Sequence, residues 1–107
     1  MVLALLAFTS CNSEEKVQKP SVFLDEQQMI DVLTDAYLIE AELSQMKSEG
    51  KDISVLQNAY YSQLFEHYGI CDSVFDQNMV YYTYHPASLE RIMDSVTQRF
   101  LKAQERQ

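Results

Sequence analysis

Tryptophan is absent from this chain, and glycine, proline and cysteine occur only twice each in its 107 residues. So few turn-formers argue against sandwiches and barrels, whose short strands call for a turn roughly every 8–12 residues. Basic residues are scarce as well: eight Lys and Arg stand against sixteen Asp and Glu, a net charge of −8. That balance speaks against nucleic acid and against electrostatic adhesion to anionic lipid. There is no glycine-rich loop of the phosphate-cradling kind, no nucleophile-elbow serine and no Glu-x-x-His pair of the ferritin-like di-metal type. No catalytic residue and no cofactor is assigned from the sequence.

The chain opens on an apolar run, Val2 to Phe8, followed by Thr9, Ser10 and Cys11 and then by the polar Asn12-Ser13-Glu14-Glu15. Seven apolar residues suit the core of a secretory signal, which needs about 7–15. They are far too few to span a bilayer, which takes roughly 20. No Lys or Arg precedes the run, and the simplest explanation is a start assigned too far downstream. The junction resembles the bacterial lipobox, with Ser10 as the small residue before cysteine and Phe8 where leucine is usual. On that resemblance the Cys11 thiol carries a diacylglyceryl group and becomes the mature N-terminus. Two or more acyl chains anchor stably where one does not. The acidic Ser13-Glu14-Glu15-Lys16 further resembles the export signal of surface lipoproteins in Bacteroidota. The expected location is the outer membrane, lipid-anchored, facing either the periplasm or the surface. With Cys11 committed to lipid, Cys71 has no disulfide partner, and a buried or semi-buried inert thiol is the default reading.

Residues 1–10 are thus read as the signal, 11–24 as a lipidated terminus and disordered tether, and 25–107 as one small domain. Asp25 with Gln28 three residues on is a capping box opening a helix to about Ser48, stopped at Gly50. Met29, Val32, Leu33, Ala36, Ile39, Leu43 and Met46 share one face of it. Asp52 or Ser54 can cap a second helix with Ile53, Leu56, Tyr60, Leu64 and Tyr68 on its apolar side. Gly69-Ile70 has the form of a helix C-cap with its hydrophobic contact. A third, shorter helix starts near Asp72 and carries Val74, Phe75, Tyr81 and Tyr82. Pro86 suits the first position of a fourth helix, whose apolar face is Leu89, Ile92, Met93, Val96, Phe100 and Ala103. The fold class is all-α, a bundle of about four amphipathic helices.

Three stretches carry a family resemblance: Met29 to Ala41 (MIDVLTDAYLIEA), His67-Tyr68-Gly69-Ile70, and Tyr81-Tyr82-Thr83-Tyr84-His85-Pro86. With them, Asp25 to Phe100 resembles the small Bacteroidota lipoproteins of the domain-of-unknown-function 4296 family. Cys71 departs from the Ser or Thr expected at the cap of the third helix, and Asp72 can take that role. The resemblance implies a fold, a lipid anchor and a Bacteroidota source, and brings no activity with it.

Several polar residues interrupt the apolar faces. Glu40 projects between Met29, Leu33, Ala36 and Leu43 on the helical wheel, where an unpaired carboxylate would cost several kcal/mol. It is either a ligand anchor or general acid, or a structural carboxylate bonded to a tyrosine hydroxyl, His67 or Arg99. His67 lies beside Leu64 and Tyr60, and one His with one Glu falls short of a metal's three or four ligands. His85 is expected to cap the fourth helix. Tyr60, Tyr61, Tyr68, Tyr81, Tyr82 and Tyr84 supply rings for a core or an aromatic groove, and Asn78 among them is expected to bond across helices. Leu38, Leu101, Ile30 and Phe65 lie off the main stripes and can mark a partner surface. Three functions compete. The first is a non-catalytic interaction module that docks an envelope protein. The second is a binder of a small ligand or peptide in an interhelical pocket of Glu40, His67 and tyrosines. The third is an acid–base enzyme using Glu40 and His67.

Overall fold

Asp25 begins the first helix as its spacing with Gln28 predicts. Its Oδ1 accepts the Gln28 amide at 2.8 Å, and Gln28 Oε1 accepts the Asp25 amide at 2.9 Å. In the computed structural model, which describes residues 17–106, this helix α1 runs Glu26–Ser48. It is followed by α2 (Ser54–Tyr68), α3 (Asp72–Thr83) and α4 (Pro86–Glu105). The four helices make a small bundle with no strand among the described residues. No described helix is long and apolar enough to cross a membrane. The leader 1–10, Cys11 and the Ser13–Lys16 run lie outside the described residues.

Both glycines end helices. Gly50 and Gly69 have φ of +82° and +66°, the left-handed region where a Cβ is penalised. Around Gly50 the Lys51 amide reaches Met46 O and the Gly50 amide reaches Lys47 O. Around Gly69 the same pair of bonds runs from Ile70 to Phe65 O and from Gly69 to Glu66 O. Each pair satisfies carbonyls a helix end leaves open. Asp52 Oδ1 accepts both the amide and the hydroxyl of Ser54 at the start of α2. Those bonds hold its carboxyl below the ordinary carboxylate range.

α1 packs against α4 along one side and α2 along the other, and α3 packs against α4. The core gathers Leu24, Met29, Ile30, Leu33, Tyr81, Tyr82, Ile92 and Val96, with half-buried Val74, Leu89 and Met93 around it. Ile30, expected on a partner surface, is buried, because α1 is covered on two sides and its buried arc is wider than one stripe. Leu101 is exposed as expected; Phe65 is half-buried, its ring 5.6 Å from Phe75 of α3. α2 buries only Leu64. At the surface Arg91 grips Glu26 with two bonds of 3.0 and 2.9 Å, and Arg99 pairs with Asp31. Arg91 lowers the Glu26 carboxyl from its usual range. Exposed pairs of this kind are worth little individually.

The segment before α1 corrects the expected tether. Residues 17–24 run along α3 rather than away from the domain. Leu24 is buried, and its amide donates to Asn78 Oδ1 at 2.8 Å. Asn78 Nδ2 donates to Val22 O and to Val74 O, and the Tyr82 hydroxyl donates to Leu24 O at 2.7 Å. Phe23 meets the rings of Tyr81 and Tyr82 at 5.2 and 6.0 Å, with Lys19 over its own face. The ordered domain therefore includes Val17 to Leu24. Asn78 bonds this arm and its own helix rather than another helix of the bundle.

Candidate functional site

The six candidate polar and aromatic residues separate into three places. Asn78, Tyr81 and Tyr82 belong to the core and hold the arm. Tyr60 and His67 line a groove between α1 and α2. Glu40 is exposed and accepts the Tyr61 hydroxyl, and Tyr61 lines a different hollow, between α2 and the start of α3. Glu40 was expected on the buried face. It sits at the edge of the α1–α2 seam, where the Tyr61 hydroxyl of α2 meets its carboxylate, while Leu43 one turn on is buried. Of the partners considered for Glu40, the tyrosine hydroxyl is the one it has. The imagined pocket of Glu40, His67 and tyrosines, and with it a Glu40–His67 acid–base pair, is not assembled.

The groove itself has a regular construction. α1 contributes Asp35, Leu38, Ile39 and Glu42, and α2 contributes Tyr60, Gln63, Leu64 and His67. Each set follows the spacing i, i+3, i+4, i+7, which places all four residues on one helical face. The volume is about 500 Å³. The hydroxyl of Tyr68 donates to Asp35 and also reaches Asp31 O at 3.2 Å. That of Tyr60 lies 3.4 Å from Glu42 Oε1. Tyr60 and Tyr68, two turns apart on α2, thus meet Glu42 and Asp35, two turns apart on α1 in the reverse order, so the two helices are antiparallel. His67 is exposed at the rim, its ring edge-on to Tyr68 at 4.8 Å. The acids of this groove were overlooked because Asp35 and Glu42 look like an ordinary solvated face. The matching spacing on α2 is the signal that would have found them.

Two further expectations are corrected. His85 stands at the N-cap of α4 but makes no capping bond there. Its Nδ1 lies 2.8 Å from Tyr81 O and its ring stacks on Tyr81 at 4.2 Å, so it closes the end of α3 instead. A carbonyl can only accept, so Nδ1 carries the proton. Cys71 is exposed at the start of α3, not buried, and its side chain caps nothing. Asp72 Oδ1 accepts the neighbouring Ser73 amide. Among the described residues no group of three or more His, Cys, Asp or Glu is placed to hold a metal ion.

Burial and neighbouring carboxylates act on the tyrosines. Burial first, then Glu40, pushes the Tyr61 hydroxyl from its ordinary 10.0 to about 12. Burial first, then Glu26, raises Tyr82 to about 12. Burial and Asp35 raise Tyr68 as well. The sign of the consequence follows from linkage. Below pH 10 both folded and unfolded chains keep these protons, and the stabilisation is complete. From about pH 10 to about pH 12 the unfolded chain releases protons that the folded chain holds, so stability falls as pH rises. Phenolate absorbance is expected to show part of the seven tyrosines ionising only as the fold is lost near pH 12. A single transition of all of them near pH 10, with native circular dichroism, would contradict the burial described.

No curated protein and no solved structure matches the chain. The family described as a domain of unknown function (DUF4296) matches residues 20–106, which takes in the arm from Pro20, both walls of the groove and all four helices. The chain belongs to the DUF4296 family.

Proposed function

We propose that this chain is a lipid-anchored protein of the bacterial cell envelope whose helical domain docks another protein of that compartment without catalysing a reaction. One observation carries the reading: the apolar Val2–Phe8 run, small Thr9 and Ser10, Cys11 and the acidic stretch behind it stand in the order that lipid modification requires. Attachment at the outer membrane and a Bacteroidota source are part of the same proposal. The packed arm gives the anchor a mechanical consequence. Between Cys11 and Val17 lie six Cα–Cα steps of at most ~3.6 Å each, so Val17, where the packed arm begins, stays within roughly 22 Å of the lipid-bearing residue. An acidic domain held that close relies on its acyl chains, since its surface gives no electrostatic attraction to anionic lipid. Docking is supported by α2, which buries one residue and leaves a groove and the 79% exposed Val55 open to a partner.

The test is fractionation of cells carrying Cys11→Ser. The wild-type chain is expected in the detergent-extracted membrane fraction. The variant is expected to lose most of its membrane association while keeping its fold, since position 11 precedes the packed arm. Equal membrane retention of both would overturn the anchor.

The groove also keeps a second reading in view, a small-ligand site, because Tyr60 and His67 do line one interhelical space. Its acids are Asp35 and Glu42 in place of Glu40.

A further inference from the structure

The acidic residues of α1 that meet a partner fall into two kinds. Glu26 and Asp31 are paired with arginines of α4, Arg91 and Arg99. Asp35, Glu40 and Glu42 meet only the hydroxyls of Tyr68, Tyr61 and Tyr60. No Lys or Arg among the described residues forms an ion pair with any of the three. A phenol hydroxyl fixes the direction of a carboxylate but brings no positive charge. Three oriented acids therefore stand without an ion pair, and two of them, Asp35 and Glu42, line the α1–α2 groove.

Their placement is specific. Seven residues apart on one helix, they are separated by two turns, about 10.5 Å. Leu38 and Ile39 lie between them, and Leu64 faces from α2. The groove is thus apolar in its middle and anionic toward each end.

We propose that this groove docks a basic segment of a partner protein. The segment is a helix presenting two Lys or Arg side chains two turns apart, with an aliphatic pair between them. This rests on the docking function above and adds the chemistry of the partner. A helix laid in a groove reads out anchors at i, i+3, i+4 and i+7, the spacing both walls supply. A compact cation is the poorer fit. Small-ligand pockets bury about 70–90% of their ligand, whereas this groove is open along its length and its acids are two turns apart. The net charge of −8 also steers a basic partner inward and speeds association at low salt.

The experiment titrates the full chain with a synthetic helical peptide bearing two lysines seven residues apart around an adjacent leucine pair. A twin peptide with glutamates in place of the lysines is the control. The lysine peptide is expected to shift the amide resonances of Leu38, Ile39 and Leu64, with affinity falling as salt rises. Asp35→Asn with Glu42→Gln leaves acceptors for both tyrosines and is expected to keep the melting temperature while weakening the peptide about tenfold, the worth of two surface ion pairs. Equal binding of the glutamate twin, unchanged binding by the double variant, or shifts mapping outside the groove would overturn the proposal. So would tighter binding of free spermidine than of the peptide, which would mark a small-cation site. Cross-linking of the anchored chain in cells separates this from the broader function. If the peptide fails while the double variant still cross-links to its envelope partner, the groove assignment is wrong and docking stands. If the wild-type chain cross-links to no envelope protein, docking itself fails and this proposal with it.

Discussion

Asn78→Ala is expected to cost about 3 kcal/mol of stability and to release the N-terminal arm. The side chain is 0% exposed and makes three bonds, to Leu24 N, Val22 O and Val74 O. Alanine strands the buried Leu24 amide, worth about 1–3 kcal/mol by itself, and leaves a cavity that adds to it. For a domain of this size each kcal/mol moves the melting temperature by about 4–8 °C, so a fall of roughly 12–24 °C is expected. Hydrogen exchange at Leu24 should quicken more than at the centre of α1, since the arm loses its main fixed partner. A variant melting within a few degrees of wild type, with Leu24 still protected, would show that the arm is held by something else. Asn78→Asp separates the bonds: it keeps the acceptor for Leu24, loses both donated bonds and buries a charge. It should therefore be less stable than wild type at neutral pH and recover part of the loss in acid, where the protonated carboxyl can donate again.

Ile92→Ala is expected to cost about 3 kcal/mol, within the usual span of about 2–5 for a fully buried aliphatic. Ile92 is 0% exposed and belongs to the core shared by α1, α3, α4 and the arm. A small domain has little core to spare, and total stabilities run only about 5–15 kcal/mol. One such cavity is therefore a large share of the whole. Ile92→Val, which removes a single methylene, should cost about 1 kcal/mol. Urea unfolding reads both directly. A loss under 1 kcal/mol for the alanine variant, with unchanged m-value, would mean that α4 does not close the core.

Local signals were the legible ones. The Asp25–Gln28 box, glycine at 50 and 69, and proline at 86 each act within one helical turn, and each ends or begins a helix where its chemistry requires. The faces of α1 and α4 were legible for the same reason, at Met29, Val32, Leu33, Ile92 and Val96. What depended on a distant neighbour was not. Val17 to Leu24 has no periodicity to betray order. It is fixed by Asn78 and Tyr82, whose bonds to Leu24 cross 54 and 58 positions of chain. Ile30 is buried because two helices flank α1, a fact no single wheel contains. Glu40 shares the apolar face of an ideal wheel with Leu43, which is buried, yet it stands at the edge of that face, where a tyrosine of α2 reaches it. His85 had two helix ends within reach, and its ring chose the carbonyl behind it over the amides ahead. Of the site, Tyr60 and His67 were visible as neighbours on one face. Their acidic counterparts across the groove became visible only once α1 and α2 were set side by side.

The mass of the N-terminal peptide of the native protein tests the anchored, docking account most directly. A peptide beginning at Cys11 and carrying a diacylglyceryl group, with or without a further acyl chain, is the predicted result. A mature chain that retains residues 1–10, or one that begins elsewhere with the Cys11 thiol free, would contradict it.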